Sequence, residues 1–192
     1  MANTLWRILM KPGLWSKVIK AKYFPQIPVH LWLRSTTGRR IEGSHTWRNL
    51  LTTLPIIHHW LSWKPGNGYL IEVGRDVMLG LGKLALLSSN LLDHLHRKNI
   101  FFLFQIKSNQ SGGHLSDCWL RSEELGLDAA LAVEWIGFTR KLMESGVRLL
   151  NRPDLLLWTG GDRSGALSAN NVYSALAAKC WSLNSERGQG AI

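Results

Sequence analysis

Residues 60–73 are the stretch that most constrains how this chain folds. At their centre is Pro65-Gly66-Asn67-Gly68. This composition is typical of a tight turn, because Gly and Asn tolerate positive φ while Pro presets φ where a turn begins. Apolar residues precede the turn, and Tyr69, Ile71 and Val73 follow it in alternation. A period of two is typical of a strand, so we predict a β-hairpin over about residues 61–73.

A second hairpin is predicted near the end of the chain. The apolar run Leu155–Trp158 is followed by the Gly-containing segment Thr159–Gly165 and then by Ala166-Leu167-Ser168. This order indicates strand, turn and strand over about residues 155–168. We expect the two hairpins to pair into one small antiparallel sheet. The predicted fold class is α+β, mainly α, with helices packed on that sheet.

The chain length allows a single domain. With 192 residues, the chain has room for one domain or at most two small ones. We predict one domain over residues 1–181 and a frayed tail over residues 182–192. Its clearest helix is Ala129–Glu144, where large apolar residues recur at three- and four-residue steps. A final helix is predicted over Ala169–Trp181, and residues 26–42 are interpreted as a poorly patterned connector.

Leu14–Tyr23 is predicted to be an amphipathic helix. Leu14, Trp15, Val18 and Ile19 share one face and the lysines lie largely opposite, so we expect a basic outer side. The chain has ten Trp residues. We interpret them as core and hairpin packing rather than as a platform for stacking nucleic-acid bases, since buried aromatic residues commonly carry core energy.

Positive charge is concentrated in the first third of the chain. The formal net charge is +10, and residues 1–70 hold ten Lys and Arg side chains against one acidic residue, Glu42. A basic face of this kind suits phosphate backbones, through counterion release. A solvated surface without a partner is the alternative, and charge alone does not separate the two.

Cysteine usage and hydropathy indicate the compartment. Cys118 and Cys180 lie far apart and outside any Cys-x-x-Cys pair, which favours a reducing, intracellular environment. No apolar run approaches the length that crosses a bilayer, and no signal peptide is recognised at the amino end. We therefore expect no membrane partner.

No catalytic or metal site is predicted. The best metal set joins His94 and His96 to His114 and Cys118, but structural zinc usually takes more tightly paired ligands. His58-His59 is interpreted as a packed or exposed pair rather than as a catalytic base. No Ser-His-Asp or Cys-His arrangement follows from the spacing. We expect no cofactor and no small-molecule substrate.

Four motifs occur in the order found in one known family. They are Lys20-Ala21-Lys22-Tyr23-Phe24-Pro25, Ser44-His45-Thr46-Trp47-Arg48-Asn49-Leu50-Leu51, Trp63-Lys64-Pro65-Gly66-Asn67-Gly68, and Leu157-Trp158 with Gly161-Asp162-Arg163-Ser164-Gly165 and Leu167-Ser168. Together they resemble the region downstream of the polymerase in plant LINE-type (non-LTR) retrotransposon reverse transcriptases, just before the carboxy-terminal zinc-binding domain. The resemblance spans about residues 5–178.

The chain also departs from the family pattern. Where the family keeps two Trp residues after the first hairpin, this chain has Gly74 and Met78, which indicates relaxed selection or a divergent branch. It contains neither the Tyr-x-Asp-Asp motif of the polymerase nor the Cys/His motif of the zinc-binding module. The resemblance therefore implies a non-enzymatic piece of a polyprotein whose parent is an RNA-directed DNA polymerase.

The resemblance and the charge together imply a role with RNA or DNA backbones as partners. In the parent, basic helices would hold template RNA or target DNA beside the polymerase, in the nucleus, contacting phosphates and sugars without reading sequence. The residues expected to do so are Arg7, Lys17, Lys20, Lys22, Arg39, Arg40 and Arg48.

The alternative is a relic open reading frame, or a protein-interaction remnant, without a selected biochemical function. The neighbouring genomic sequence distinguishes the two. An intact polymerase frame upstream and a Cys/His module downstream would support the first interpretation. Stop codons and frameshifts would support the second.

Overall fold

The computed structural model describes residues 1–35, 43–108 and 119–159, together with Ser174. The fold is α+β and mainly helical, with a two-stranded antiparallel sheet, as the sequence predicts. Backbone contacts divide the chain into two compact units, Met1–Leu61 with Trp158–Ile192 and Ser62–Leu157. The single domain expected over residues 1–181 stays a prediction.

The first unit is built from short helices. They are α1 (Ala2–Met10), α2 (Leu14–Tyr23), α3 (Val29–Ser35), α4 (His45–Leu51) and α5 (Leu54–His59). Local chemistry sets several of their ends. Pro12-Gly13 separates α1 from α2, Ser44 caps α4 by accepting a hydrogen bond from the Trp47 backbone N–H at 3.2 Å, and Pro55 lies in the first turn of α5, where its missing N–H costs little.

Aromatic residues and α1 form the interior of this unit. α1 buries Ala2, Leu5, Trp6 and Leu9, the spacing of one helical face, and packs against α2, α4 and α5. Beside it, rings stack in pairs. The ring centroids of Tyr23 and Trp47 lie 4.6 Å apart, those of Phe24 and Trp32 lie 4.7 Å apart, and Trp32 lies 6.0 Å from Trp47.

The structure corrects one expectation about the connector. Residues 26–42 were predicted to lack pattern, yet α3 forms within them. Trp32 and Leu33 are its buried residues, so the helix gains from packing against the aromatic cluster. A helix this short is marginal by its own propensity, and tertiary packing stabilises it.

The second unit holds the larger core. Its elements are α6 (Ser89–Arg97), α7 (Ala129–Glu144), 3₁₀ turns at Lys83–Ala85 and Leu103–Ile106, and most of the strands β1 (Leu61–Lys64) and β2 (Leu155–Trp158). The predicted bounds of α7 are confirmed, and Asp128 caps it by accepting from the Leu131 N–H at 2.9 Å. Trp135, Phe138 and Leu142 of α7 are buried in this core.

The sheet pairs the expected strands but through different connections. β1 and β2 lie side by side, which confirms that the regions of the two predicted hairpins pair with each other. The prediction of a hairpin over residues 61–73 is wrong, because residues 69–73 do not pair with β1. Instead Val73 donates to the carbonyl of Phe101 at 2.9 Å, and the Leu103 N–H donates to the Ile71 carbonyl at 2.9 Å.

The turn over residues 65–70 is closed by a distant carboxylate. Asp154 is buried, and its Oδ1 accepts from the backbone N–H groups of Gly66 at 2.7 Å and Gly68 at 2.9 Å. Its Oδ2 accepts from the Leu70 N–H at 2.9 Å. The N–H groups of the turn therefore face Asp154, and the segment that leaves the turn pairs with residues 101–103 instead of with β1.

Several predicted features lie outside the described residues. They are the turn and return strand of the second hairpin over residues 160–168, the tail over residues 182–192, and, apart from Ser174, the final helix over Ala169–Trp181. These stay predictions.

Candidate nucleic-acid interface

The cations expected to bind a nucleic-acid backbone are distributed over three helices of the first unit. Arg7 on α1, Lys17 and Lys22 on α2, and Arg48 on α4 are exposed, whereas Lys20 is half-buried. Arg39 and Arg40 lie outside the described residues. Four of the seven predicted side chains are therefore exposed in the structure.

The orientation of α2 follows from one small polar residue. Ser16 is the buried residue of this helix, and its hydroxyl donates to the Ile8 carbonyl of α1 at 2.6 Å. Ile19, Lys20 and Tyr23 are half-buried, and at about 100° per residue they lie on the same side as Ser16. The side of α2 that packs on its neighbours is thus centred on Ser16.

The prediction that the apolar face of α2 packs inward is wrong. Leu14 is 78% exposed, Trp15 72% and Val18 47%. The amphipathic pattern is present in the sequence. The hydrogen bond from Ser16 to the Ile8 carbonyl nevertheless turns the Ser16 side of the helix toward α1, and the apolar side faces solvent. The outer side of α2 therefore carries apolar residues and lysines together.

A groove runs over α1, α2 and α4. Its volume is about 570 Å³, and Arg7 and Lys11 line it together with Trp15, Thr46 and Leu50. Arg7 thus shares the groove with Lys11, a cation that is not among the predicted site residues. The sequence signal for Lys11 is its position before Pro12-Gly13, which sets the end of α1 beside the start of α2.

The electrostatics of this surface are one-sided. Helices α1 to α5 contain no Asp or Glu. Lys22 Nζ lies 5.3 Å from the centroid of the Tyr23 ring, within the range of a cation–π contact. The Tyr23 hydroxyl lies 3.2 Å from the Ser44 hydroxyl, and this hydrogen bond, aided by Lys22, lowers the pKa of Tyr23 from its usual value of 10.0.

The tryptophans mostly behave as the sequence indicates. Of those that the structure describes, seven are buried, namely Trp6, Trp32, Trp47, Trp63, Trp119, Trp135 and Trp158. Trp60 is half-buried, and its ring lies 6.4 Å from that of Trp158. Within the described ranges, Trp15 is the one Trp with a mainly exposed side chain.

The histidines have structural surroundings. His94 Nε2 lies 2.9 Å from the Leu125 carbonyl, and the His96 ring stacks 5.0 Å from Phe101. Burial lowers the pKa of His58 from its usual 6.5, although the end of helix α5 by itself favours the charged form. His114 and Cys118 are outside the described part of the chain, and the described part contains no cluster of three or more metal-ligating side chains.

In the part of the chain that the structure describes, no helix combines the length and the apolar character that crossing a membrane requires. No protein-family model, curated protein or solved structure matches the chain.

Proposed function

We propose that this chain is a non-catalytic segment of a plant non-LTR retrotransposon reverse transcriptase, and that it binds RNA or DNA backbones without reading sequence. The observation that carries the binding role is the set of exposed cations Arg7, Lys17, Lys22 and Arg48, on helices without any carboxylate. The ancestry rests on the four sequence motifs.

The chemistry of the surface suits phosphates. Lys and Arg side chains that neutralise phosphates release condensed counterions, and this gain is independent of base sequence. Because α1 to α5 contain no Asp or Glu, no ion pair within these helices competes with such contacts. The absence of α1–α5 carboxylates thus distinguishes this surface from the mixed-charge surface of the usual soluble domain.

The structure also bears on the relic alternative. Met78 is fully buried in the core of the second unit. Beside it, the backbone N–H of Trp63 donates to the Val77 carbonyl at 2.8 Å, and the Trp63 carbonyl accepts from the Leu79 N–H at 2.8 Å. At Gly74 an added Cβ would lie 2.6 Å from Leu87 Cδ1, so Leu87 fills the space of a side chain there. Both departures from the family motif fit a packed core, which favours a divergent branch over loss of constraint.

The test measures affinity of the full chain for a fluorescently labelled oligonucleotide as salt is varied. We compare the wild type with a triple variant, Lys17→Gln, Lys22→Gln and Arg48→Gln. Each lost phosphate contact should reduce the slope of log K against log[salt] by about 0.7 for a single strand, so the triple variant should lose about 2 from the slope. Oligonucleotides of different sequence should bind with similar affinity.

A matched control removes the same charges from the second unit. Lys83, Lys98 and Arg140 are exposed there, and the triple variant Lys83→Gln, Lys98→Gln and Arg140→Gln has the same net charge as the test variant. We expect it to keep the wild-type slope. The proposed interface would be contradicted if wild-type affinity did not depend on salt, or if both triple variants lost the same amount from the salt slope.

A further inference from the structure

We propose that Trp15 makes this surface selective for single-stranded nucleic acid, by stacking on an unpaired base while the surrounding cations hold the backbone. This inference rests on the proposed function and adds to it the class of strand that is bound. It starts from the one Trp of the described residues whose side chain is mainly exposed, a large indole that is 72% exposed and lines a groove together with Arg7 and Lys11.

The position of Trp15 combines stacking surface and charge. Trp15 lines the groove with Arg7 and Lys11. Lys22 lies seven residues after Trp15 on the same helix, and seven residues complete about two turns, so both side chains leave α2 on the same side. A strand that crosses Trp15 therefore meets cations on either side of the ring.

The apolar neighbours of Trp15 favour a base over a bare phosphate chain. Leu14 and Val18 are also exposed and lie within about 100° of Trp15 around the helix. Bases have apolar faces whatever their identity, so stacking on an aromatic ring is tolerant of sequence. A duplex hides those faces between its own base pairs, and only its phosphates can reach the cations.

Charge and shape favour this occupant over others. A second copy of the chain would bring the same carboxylate-free basic helices face to face, and like charges in an interface are costly. A lipid surface is broad, whereas Trp15 lies at a concave groove of about 570 Å³. A flexible anionic strand with planar bases matches both the charge and the concavity.

The experiment measures fluorescence anisotropy of a labelled single strand and of its duplex, each with the wild-type full chain and with Trp15→Ala. Because Trp15 is largely exposed, its replacement should leave the fold intact, which circular dichroism checks. We expect affinity for the single strand to fall about 5- to 150-fold, the range for losing one base–aromatic stack, while duplex affinity stays within a factor of about two. Trp15→Phe keeps an aromatic face and should restore most of the loss.

The matched control is Tyr69→Ala, since Tyr69 is an exposed aromatic residue of the second unit. This variant should bind both probes like the wild type. If Trp15→Ala lowered the affinities for the single strand and for the duplex equally, or lowered neither, the stacking role would be overturned. Salt-dependent binding by the wild type would still support the proposed function in that case. Wild-type binding to neither probe at low salt would overturn both.

Two further measurements test the competing occupants. Vesicles of phosphatidylserine and phosphatidylcholine are sedimented with the wild type and with Trp15→Ala, and sedimentation equilibrium gives the oligomeric state. We expect neither vesicle binding nor self-association to depend on Trp15. Trp15-dependent vesicle binding or dimerisation, with oligonucleotide affinity unchanged in Trp15→Ala, would overturn the proposal in favour of that occupant.

Discussion

Asp154 is the buried charged residue among those that the structure describes, and its surroundings explain why it is tolerated. A buried carboxylate is costly unless hydrogen bonds replace its lost hydration. Three backbone N–H groups do so here, at 2.7 to 2.9 Å. The carboxylate in turn accepts from the Gly66, Gly68 and Leu70 N–H groups of the 65–70 turn, so residue and turn stabilise each other.

The prediction at this scale is that Asp154→Ala lowers the free energy of unfolding by about 3 kcal/mol or more, because each buried donor left without an acceptor costs about 1–3 kcal/mol. Asp154→Asn keeps one acceptor oxygen and should cost less. Urea denaturation followed by tryptophan fluorescence measures both.

The control is Asp93→Ala on α6, where the carboxylate is exposed. It should change stability by no more than about 0.5 kcal/mol, as surface substitutions usually do. If Asp154→Ala changed the free energy of unfolding as little as this control does, the carboxylate would not be stabilising the turn.

Sequence reasoning at the residue scale succeeded for charge and failed for Trp15. Arg7, Lys17, Lys22 and Arg48 are exposed as expected, because solvating a cation is favourable in almost any fold. Trp15 was assigned to the core on periodicity. A hydrogen bond from Ser16 to the Ile8 carbonyl, which no pattern in α2 indicates, turned it outward.

At the element scale, the 65–70 turn shows what local chemistry determines. The sequence correctly predicts a turn at Pro65-Gly66-Asn67-Gly68, and Gly68 has the positive φ of 79° that favours glycine. It does not predict which strand follows, because the acceptor for the turn lies 84 to 88 residues away. Residues 71–73 pair with residues 101–103 for the same non-local reason.

Gly66 carries a steric constraint that a paired substitution tests. An added Cβ at Gly66 would lie 2.3 Å from the Pro153 carbonyl oxygen and 2.4 Å from that of Arg152, and backbone atoms cannot move aside cheaply. We predict that Gly66→Ala lowers the free energy of unfolding by about 1–3 kcal/mol, the usual cost of overpacking. Thermal unfolding followed by circular dichroism measures the change.

Gly137 is the control for the Gly66→Ala measurement, because replacing it by Ala should raise stability instead of lowering it. It lies inside α7 with open space around an added Cβ, so Gly137→Ala should raise stability by about 0.5–1 kcal/mol, since Ala loses less backbone entropy than Gly in a helix. Destabilisation by Gly137→Ala, or a neutral Gly66→Ala, would contradict the packing described for these elements.

At the scale of the whole molecule, the sequence predicts one domain over residues 1–181 and backbone contacts divide the chain into two units. Unfolding tests the prediction. Leu5 is buried in α1, and Leu5→Ala should lower the free energy of unfolding of the first unit by about 2–5 kcal/mol. Asp154→Ala should lower that of the second unit by about 3 kcal/mol or more. For a single domain, each substitution lowers the midpoint of one shared cooperative transition.

Fluorescence and circular dichroism monitored together give the readout. Coincident transitions that shift as a whole in both variants would agree with the single-domain prediction. Two transitions, with each variant shifting only one of them, would show that the units unfold separately and would contradict it.

The sequence by itself determined the fold class, the bounds of α7, the turn at residues 65–68 and the basic, carboxylate-free character of the first helices, because propensity, turn chemistry and charge are local properties. The tertiary structure alone decided that Trp15 faces solvent, that Lys11 joins Arg7 at a groove, that α3 forms, and that Asp154 closes a turn far from it in sequence. The contact between Asp154 and its turn spans 84 to 88 residues, and the hydrogen bond that turns Trp15 outward joins two different helices. Contacts between separate elements leave no periodic signal in either element.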